Sequence, residues 1–193
     1  RVLWNAGYKT GLIGEWSADT SPAQQGYEDS SGWNVAPNEF PDWALLNGKR
    51  IALENNSQGQ HQVSKDDFLI SEFRSFLREA RGSPNQFFLQ IPISLFDDVA
   101  GRSWSALDYS AKIQRADRIS ARILEAIDEF GLENRTCLLF CVLAGPHPAL
   151  SQLVGETQST AGLSHSAEEL REGNLRVPFL VRWPGQIPAG SVS

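Results

Sequence analysis

Methionine is absent from this sequence of 193 residues, and cysteine, positive charge and long apolar runs are all scarce. Lysine and arginine number 17 against 23 aspartates and glutamates, which gives a net charge of −6. That sign argues against nucleic acid or an anionic membrane surface as the main partner. The longest apolar run, 138–144, is far shorter than the roughly 20 residues that a membrane helix needs. We therefore expect a protein that binds no nucleic acid and has no membrane span.

The first residue is Arg1 and not methionine. Residues 1–7 are predicted to be the end of a helix that stops at Gly7. We expect the chain to be part of a longer protein, so the sequence leaves its compartment open. Cysteine is limited to Cys137 and Cys141, which lie about 13 Å apart if the intervening segment is a strand. That separation excludes a disulfide between them, and we expect two buried free thiols.

What the sequence does contain is an alternation of strands and helices. Strands are predicted over 10–14, 87–91, 136–143 and 177–183. One helix is predicted to open at a capping box beginning with Ser64 and to end at Gly82, and a second to run from its cap Asp108 to Gly131. Near-continuous apolar strands between helices predict an α/β fold with a mixed, mostly parallel sheet and helices on both faces.

The segment 15–62 interrupts this alternation. It is rich in Gly, Pro, Asn, Ser and Trp and has no sustained hydrophobic period, which predicts an irregular insertion. Within it, Asn47-Gly48 separates two apolar runs and predicts one short hairpin.

Five strings follow one another along the chain in a recognisable order. Residues 6–16 read AGYKTGLIGEW, 117–124 read DRISARIL, 140–147 read FCVLAGPH, 172–178 read EGNLRVP, and 182–185 read RWPG. In the same order they resemble AGYxTxxxGKWH, DxxVGxIL, FTSDNGPH, EGGIRVP and RWPG of the sulfatase family, whose fold is alkaline phosphatase-like. The resemblance implies that 1–193 is a single partial sulfatase-like domain whose N-terminal strand is missing.

The resemblance also implies where the active site should lie, and the residues at those positions depart from the family. Sulfatases use a formylglycine made from a C/S-x-P-x-R motif, which this chain lacks. The lysine and histidine of GKWH, the two calcium ligands of SDNG, a second sulfate-binding lysine and a second histidine are all replaced. The substituted positions are Glu15, Ser17, Leu143, Ala144, Ala167 and Asp97, in that order.

Three of these substitutions bear directly on chemistry. Glu15 places a negative charge where the family binds sulfate, and a like-charge contact at about 4 Å costs on the order of 4 kcal/mol at an effective dielectric of 20. Leu143 and Ala144 offer no side-chain oxygen to calcium, which takes six to eight oxygen ligands. We therefore expect no catalytic residue and no metal ligand at the family positions.

Other residues offer only weak candidates for a different site. His147 follows a predicted strand at the edge where α/β sheets bind ligands, and it is the one candidate ligand that we retain. The acidic pair Asp97-Asp98 is typical of a solvated loop end, and His165 with Glu168-Glu169 is typical of a charged helix face.

These observations predict a sulfatase-like scaffold without sulfuric ester hydrolysis of its own, and with no cofactor. Two alternatives stay open: the C-terminal portion of a functional arylsulfatase that uses calcium, and a glycan-binding or interaction module. The resemblance implies two kinds of partner. A missing strand leaves an exposed sheet edge for an upstream segment or another subunit to cover, and the cleft of the family suggests a sulfated or other glycan.

Overall fold

The computed structural model describes residues 1–16, 19–95, 105–143 and 172–192. The chain divides into two compact units, one of residues 1–97 and 116–130 and one of residues 98–115 and 131–193. Whether 1–193 is a single partial domain stays a prediction. Among the described helices, none is both long enough and apolar enough to cross a membrane.

The described elements keep the predicted alternation. The helices are α1 (Val2–Asn5), α2 (Pro22–Gln25), α3 (Lys65–Gly82), α4 (Ala106–Glu129) and α5 (Glu172–Leu175). The strands are β1 (Lys9–Glu15), β2 (Asp29–Trp33), β3 (Trp43–Leu46), β4 (Lys49–Ala52), β5 (Phe87–Gln90), β6 (Leu138–Cys141) and β7 (Phe179–Arg182).

The first unit contains a five-stranded mixed sheet in the order β4-β3-β2-β1-β5. β1 lies between β2 and β5 and is parallel to both, whereas the β2–β3 and β3–β4 pairs are antiparallel. The five interior positions of β1 are buried, as expected for a strand covered on both faces. The sheet therefore confirms the predicted mixed α/β architecture.

Helix α3 covers one face of this sheet. Its predicted apolar stripe is buried, and Leu77 is completely inaccessible. The ring of Phe76 packs edge-on against Phe87 of β5 at 5.9 Å between centroids. Because each fully buried Leu or Phe side chain contributes about 1.5–3 kcal/mol, this stripe contributes several kcal/mol of apolar burial to the first unit.

Two predictions within these elements need correction. The segment 15–62 is not irregular apart from its hairpin, because Asp29–Trp33 forms β2, a central strand of the sheet. Its hairpin is confirmed as β3 and β4, with Asn47 and Gly48 both at positive φ. Helix α4 is capped by Ser105 and not by Asp108: the Ser105 Oγ accepts from the Asp108 N–H at 3.2 Å, and the Asp108 carboxylate accepts from the Ser105 N–H at 3.0 Å.

The second unit contains an antiparallel ribbon of β6 and β7. β6 is shorter than the predicted strand 136–143, and both Cys137 and Cys141 are exposed, so the prediction of buried thiols is wrong. The ribbon is apolar yet open to solvent, with Leu139 60% exposed. An apolar run therefore did not imply burial here.

Polar contacts also link α3 to the sheet at the amino ends of the parallel strands. Lys9 of β1 donates to Asp29 at 2.6 Å and to Glu79 of α3 at 3.0 Å. Burial alone would lower the pKa of the Lys9 ammonium, but these two hydrogen bonds outweigh it and raise the pKa. Burial raises the pKa of the neighbouring Glu72 carboxyl, against the opposing hydrogen bond from Ser31.

We predict that Glu72→Gln stabilises the protein at neutral pH. A carboxyl whose pKa is raised by folding opposes folding once it is ionised, so its destabilising effect grows as pH rises above the ordinary value of 4.5. Urea unfolding at pH 7 and pH 3.5 should show the variant to be more stable than wild type only at pH 7. The exposed Glu125→Gln of α4 is the matched control, and an equal effect of Glu72→Gln at both pH values would refute the prediction.

Candidate functional site at the carboxyl ends of the parallel strands

The carboxyl ends of β2, β1 and β5 meet at one edge, which we call the rim: Gly14–Trp16, Gly32–Trp33 and Pro92. The Trp16 N–H donates to the Trp33 carbonyl at 2.9 Å, and the Glu15 N–H donates to the Pro92 carbonyl at 3.4 Å. In open α/β sheets, ligands bind at the carboxyl ends of the strands. The rim is therefore the place in this unit where a functional site is expected.

The three backbones approach so closely at the rim that two positions admit only glycine. Gly14 and Gly32 face each other across β1 and β2, with φ of +132° and +135°. A Cβ added to Gly32 would lie 1.8 Å from the Gly14 carbonyl oxygen, and one added to Gly14 would lie 2.3 Å from the Pro92 carbonyl oxygen. Both the conformation and the space thus require a residue without a side chain.

An ion pair joins the rim to helix α3. Successive residues of β1 alternate between the two faces of the sheet, and Gly11, two positions before Ile13 and four before Glu15, lies against Phe76 of α3. Glu15 accordingly projects toward the same helix, where its Oε1 lies 3.8 Å from the Nζ of Lys65. The side chains are only 14% and 9% exposed, so two opposite charges compensate each other largely out of water.

The burial of this ion pair affects the free energy of unfolding. Moving either charge out of water costs several kcal/mol, and mutual attraction repays that cost only while both partners are present. Lys65 is also the first residue of α3, where the positive end of the helix dipole disfavours a cation. The carboxylate of Glu15 therefore offsets part of the cost of a buried lysine at this helix start.

The beginning of α3 is held in place by further contacts. The Ser64 Oγ accepts from the Asp67 N–H at 3.1 Å and donates to the Asp67 carboxylate at 2.7 Å. The Ser64 hydroxyl, aided by Arg122 of α4 at 2.9 Å, lowers the pKa of Asp67. The Lys65 N–H donates to the Glu39 carbonyl at 2.8 Å. These bonds hold the Lys65 backbone in a defined position.

Aromatic side chains from β2 and α3 form an apolar wall beside the ion pair. Trp33, at the end of β2, is 2% exposed and packs with Phe68 of α3 at 5.0 Å between ring centroids. Its indole Nε1 donates to the Trp43 carbonyl at 2.6 Å, so the buried donor is satisfied. Exclusion of water by this wall strengthens the attraction between Glu15 and Lys65.

Of the residues predicted for the site, the structure places two. Glu15 lies at the rim in the first unit, and Leu143 follows β6 in the second unit, 94% exposed. Ser17, Asp97, Ala144, His147 and Ala167 lie outside the described residues, as do Asp98 and His165 with Glu168 and Glu169. Their roles stay predictions.

Sequence reasoning missed Lys65 as part of the site. It was assigned only to the start of a helix, although a lysine there opposes the helix dipole. That conflict was the available signal, but it did not identify Glu15, 50 positions earlier, as the partner.

Calcium, which the family resemblance implies, does not fit the residues that the structure describes. Leu143 stands at one position where the family has an oxygen ligand and presents only exposed hydrocarbon. Within the described ranges, no three ligating side chains of His, Cys, Asp or Glu come together.

No family model matches the chain. It is 25% identical over 238 aligned residues to arylsulfatase G of Rattus norvegicus, covering 100% of this chain and 45% of that protein. It is 32% identical over 134 residues to steryl-sulfatase of Mus musculus, covering 64% of this chain and 21% of that protein. The chain thus spans less than half the length of these curated relatives.

Solved structures show the same fold. A crystal structure of Ps i-CgsB matches with a TM-score of 0.74 at 22% identity, covering 98% of this chain and 48% of that one. A second structure of that protein, in complex with k-i-k-neocarrahexaose, matches with a TM-score of 0.73, also at 22% identity, and covers 97% of this chain and 48% of that one.

We predict that Gly32→Ala destabilises the protein by about 3 kcal/mol or more, because the new methyl group meets backbone and the residue must keep a positive φ. Chemical denaturation measures the loss. Gly82→Ala is the matched control, since a Cβ there has open space, and it should be neutral or slightly stabilising. Equal effects of the two substitutions would contradict the close approach at the rim.

We predict that Lys65→Met destabilises the protein by about 3 kcal/mol or more, because it removes the ammonium that lies 3.8 Å from the largely buried carboxylate of Glu15. The exposed Lys49→Met of β4 serves as control and should change stability by less than about 0.5 kcal/mol. Thermal and urea unfolding both report the difference. A Lys65→Met variant as stable as Lys49→Met would show that the ion pair is dispensable.

Proposed function

Since this chain is a relative of the sulfatases in sequence and in fold, we propose that it is a sulfatase-like scaffold without sulfuric ester hydrolysis of its own. The observation that carries the proposal is the buried pair of Glu15 and Lys65 at the rim. By the resemblance, Glu15 stands where sulfatases have the lysine of GKWH, which contacts the sulfate.

The ion pair also bears on how a sulfate ester would interact with the charge of Glu15. A bare carboxylate at this position would repel a sulfate ester, but the carboxylate of Glu15 is compensated by Lys65 at 3.8 Å. An incoming sulfate would have to compete with Glu15 for that ammonium, and displacing Glu15 would separate two largely buried opposite charges. Competition with Glu15 and displacement of Glu15 both cost binding free energy. A lysine at position 15, as in the family, would not add this cost.

The second support comes from the end of β6. Leu143, matched by the resemblance to a calcium ligand, has no side-chain oxygen, and a hard cation does not bind to hydrocarbon. As the resemblance aligns them, Glu15 and Leu143 both support a scaffold without hydrolysis.

We predict that the purified chain does not turn over 4-nitrophenyl sulfate, with or without millimolar calcium. Release of 4-nitrophenol should stay at the rate of a buffer blank, and Lys65→Met should give the same rate as wild type. Saturable turnover that calcium increases and that Lys65→Met abolishes would overturn the proposal. The Lys65→Met arm separates turnover at the rim from that of a contaminating enzyme.

A second candidate is the C-terminal portion of a functional arylsulfatase that uses calcium. It is favoured by coverage, because the chain corresponds to only 45% of rat arylsulfatase G and the remaining site residues would lie elsewhere in the protein. This candidate requires a C/S-x-P-x-R motif upstream in the gene. It also requires a calcium-dependent rise in melting temperature, since an ion that binds only the folded state stabilises it.

The glycan-binding alternative rests on a different observation. Ps i-CgsB has been crystallised with k-i-k-neocarrahexaose, so a related fold accommodates an oligosaccharide. An acidic cleft selective for cationic glycans is less favoured, because Lys65 compensates the charge of Glu15. Calorimetric titration with neutral, anionic and cationic oligosaccharides distinguishes a glycan-binding module from a scaffold that binds none of them.

A further inference from the structure

We infer that the edge of β6 that faces away from β7 is a docking surface for a second copy of this chain. In oxidising conditions, two symmetric disulfides between Cys137 of each copy and Cys141 of the other close the dimer. This inference concerns the second unit alone and is independent of the proposed function, because it uses no residue of the rim.

The first support is that the chain carries two accessible thiols on one strand. Cys141 ends β6 and Cys137 directly precedes it, and both are free and exposed. Thr136, the residue before Cys137, also has extended backbone, so the two thiols, four positions apart, lie on the same face at a separation of about 13 Å. That separation excludes a bridge within the chain. Because this sequence contains no other cysteine, any disulfide that it forms joins it to another molecule.

The second support is the direction of the backbone groups of β6. The Val142 N–H donates to the Pro178 carbonyl at 3.2 Å, and in an antiparallel pair every second residue bonds to the same neighbour. The even-numbered residues of β6 therefore bond to β7. The N–H and C=O groups of Cys137, Leu139 and Cys141 point to the opposite edge. Among the strands that the structure describes, β7 is the only neighbour of β6.

The third support is that the cysteine spacing is symmetric about Leu139. When β6 of a second copy pairs antiparallel with Leu139 opposite Leu139, Cys137 of each copy lies opposite Cys141 of the other. Directly opposite residues of a hydrogen-bonded antiparallel pair have Cα atoms about 5.5 Å apart, within the range of about 4.4–6.8 Å that a disulfide spans. One register thus brings all four thiols into bonding position and adds an apolar cross-strand pair at its centre. This self-complementarity favours a second copy over an unrelated strand.

The fourth support is that β6 lacks the side chains that usually protect the edge of a sheet. β4, which ends the sheet of the first unit, carries Lys49 and Arg50, and charges of this kind oppose pairing between edges. β6 reads Leu-Leu-Phe-Cys, with neither a charge nor a proline. Leu139 near its middle is more than half exposed. The composition of β6 is therefore compatible with pairing to another strand.

Oxidised glutathione is the oxidant for the two bridges. A cysteine thiolate of one copy attacks the glutathione disulfide, forms a mixed disulfide and releases one glutathione as its thiol. The opposite cysteine of the other copy loses its proton, attacks the protein sulfur of the mixed disulfide and expels the second glutathione, which takes up a proton. Each bridge therefore oxidises two protein thiols and reduces one glutathione disulfide to two thiols.

The test is non-reducing electrophoresis, with intact mass, of the full chain equilibrated in oxidised and reduced glutathione. Wild type should give a covalent dimer that dithiothreitol returns to the chain of 21.3 kDa. Cys137→Ser and Cys141→Ser should each lose the covalent dimer, because every bridge needs one cysteine of each kind. A mixture of the two single variants should restore it, since Cys141 of the first variant then lies opposite Cys137 of the second.

Leu139→Lys and Phe140→Lys are a matched pair of edge variants, and both original side chains are exposed. Leu139→Lys places like charges directly opposite each other and should lower the dimer fraction. Phe140→Lys places its charge opposite Leu138 on the other face and should lower the fraction less. Urea unfolding of the reduced variants checks that each one folds.

Three results would overturn the inference. They are wild type that stays monomeric in oxidised glutathione, single cysteine variants that dimerise as wild type does, and a mixture of the single variants that does not restore the dimer. The second result would mean that exposed thiols cross-link by random collision or in another register.

Discussion

The ion pair between Glu15 and Lys65 is the interaction on which the candidate site depends. It joins the carboxyl end of β1 to the first residue of the helix that covers the sheet, and both side chains are largely removed from water. A buried pair of this kind contributes little net stability relative to apolar residues, yet breaking it is costly. The pair instead determines which charged side chains lie at the rim. It places an acidic and a basic side chain together at the rim.

The rim can hold this pair because its backbone is tightly constrained. Gly14 and Gly32 permit an approach between strands that any side chain would prevent, and the apolar contact of Trp33 with Phe68 excludes water beside the charges. Backbone packing therefore constrains Gly14 and Gly32, and burial beside Lys65 constrains Glu15.

Local patterns predicted the parts of the fold that depend on local physics. Helix α3 was predictable because its cap and its apolar stripe lie within one short segment, and the β3–β4 hairpin because Asn47-Gly48 suits its turn. β2 was not, because Asp29-Ser30-Ser31-Gly32 lacks the apolar alternation of a strand. It lies in the middle of the sheet through its pairing with β1, which no local pattern reveals. The exposure of Cys137 and Cys141 was missed for a related reason: apolarity of a run does not specify what covers it.

The candidate site was likewise only partly predictable from the sequence. Comparison of motifs identified Glu15 as a departure from the sulfatase pattern, and the structure adds that its charge is paired, a fact that depends on two residues 50 positions apart. The coupling free energy between positions 15 and 65 tests this account most directly, and it is measured by urea unfolding of Glu15→Gln, Lys65→Met and the double variant. The account predicts that the double variant is more stable than the sum of the single effects implies, by about 1.5 kcal/mol or more. Additivity within about 0.5 kcal/mol would contradict it, because the two side chains would then not compensate each other at the rim.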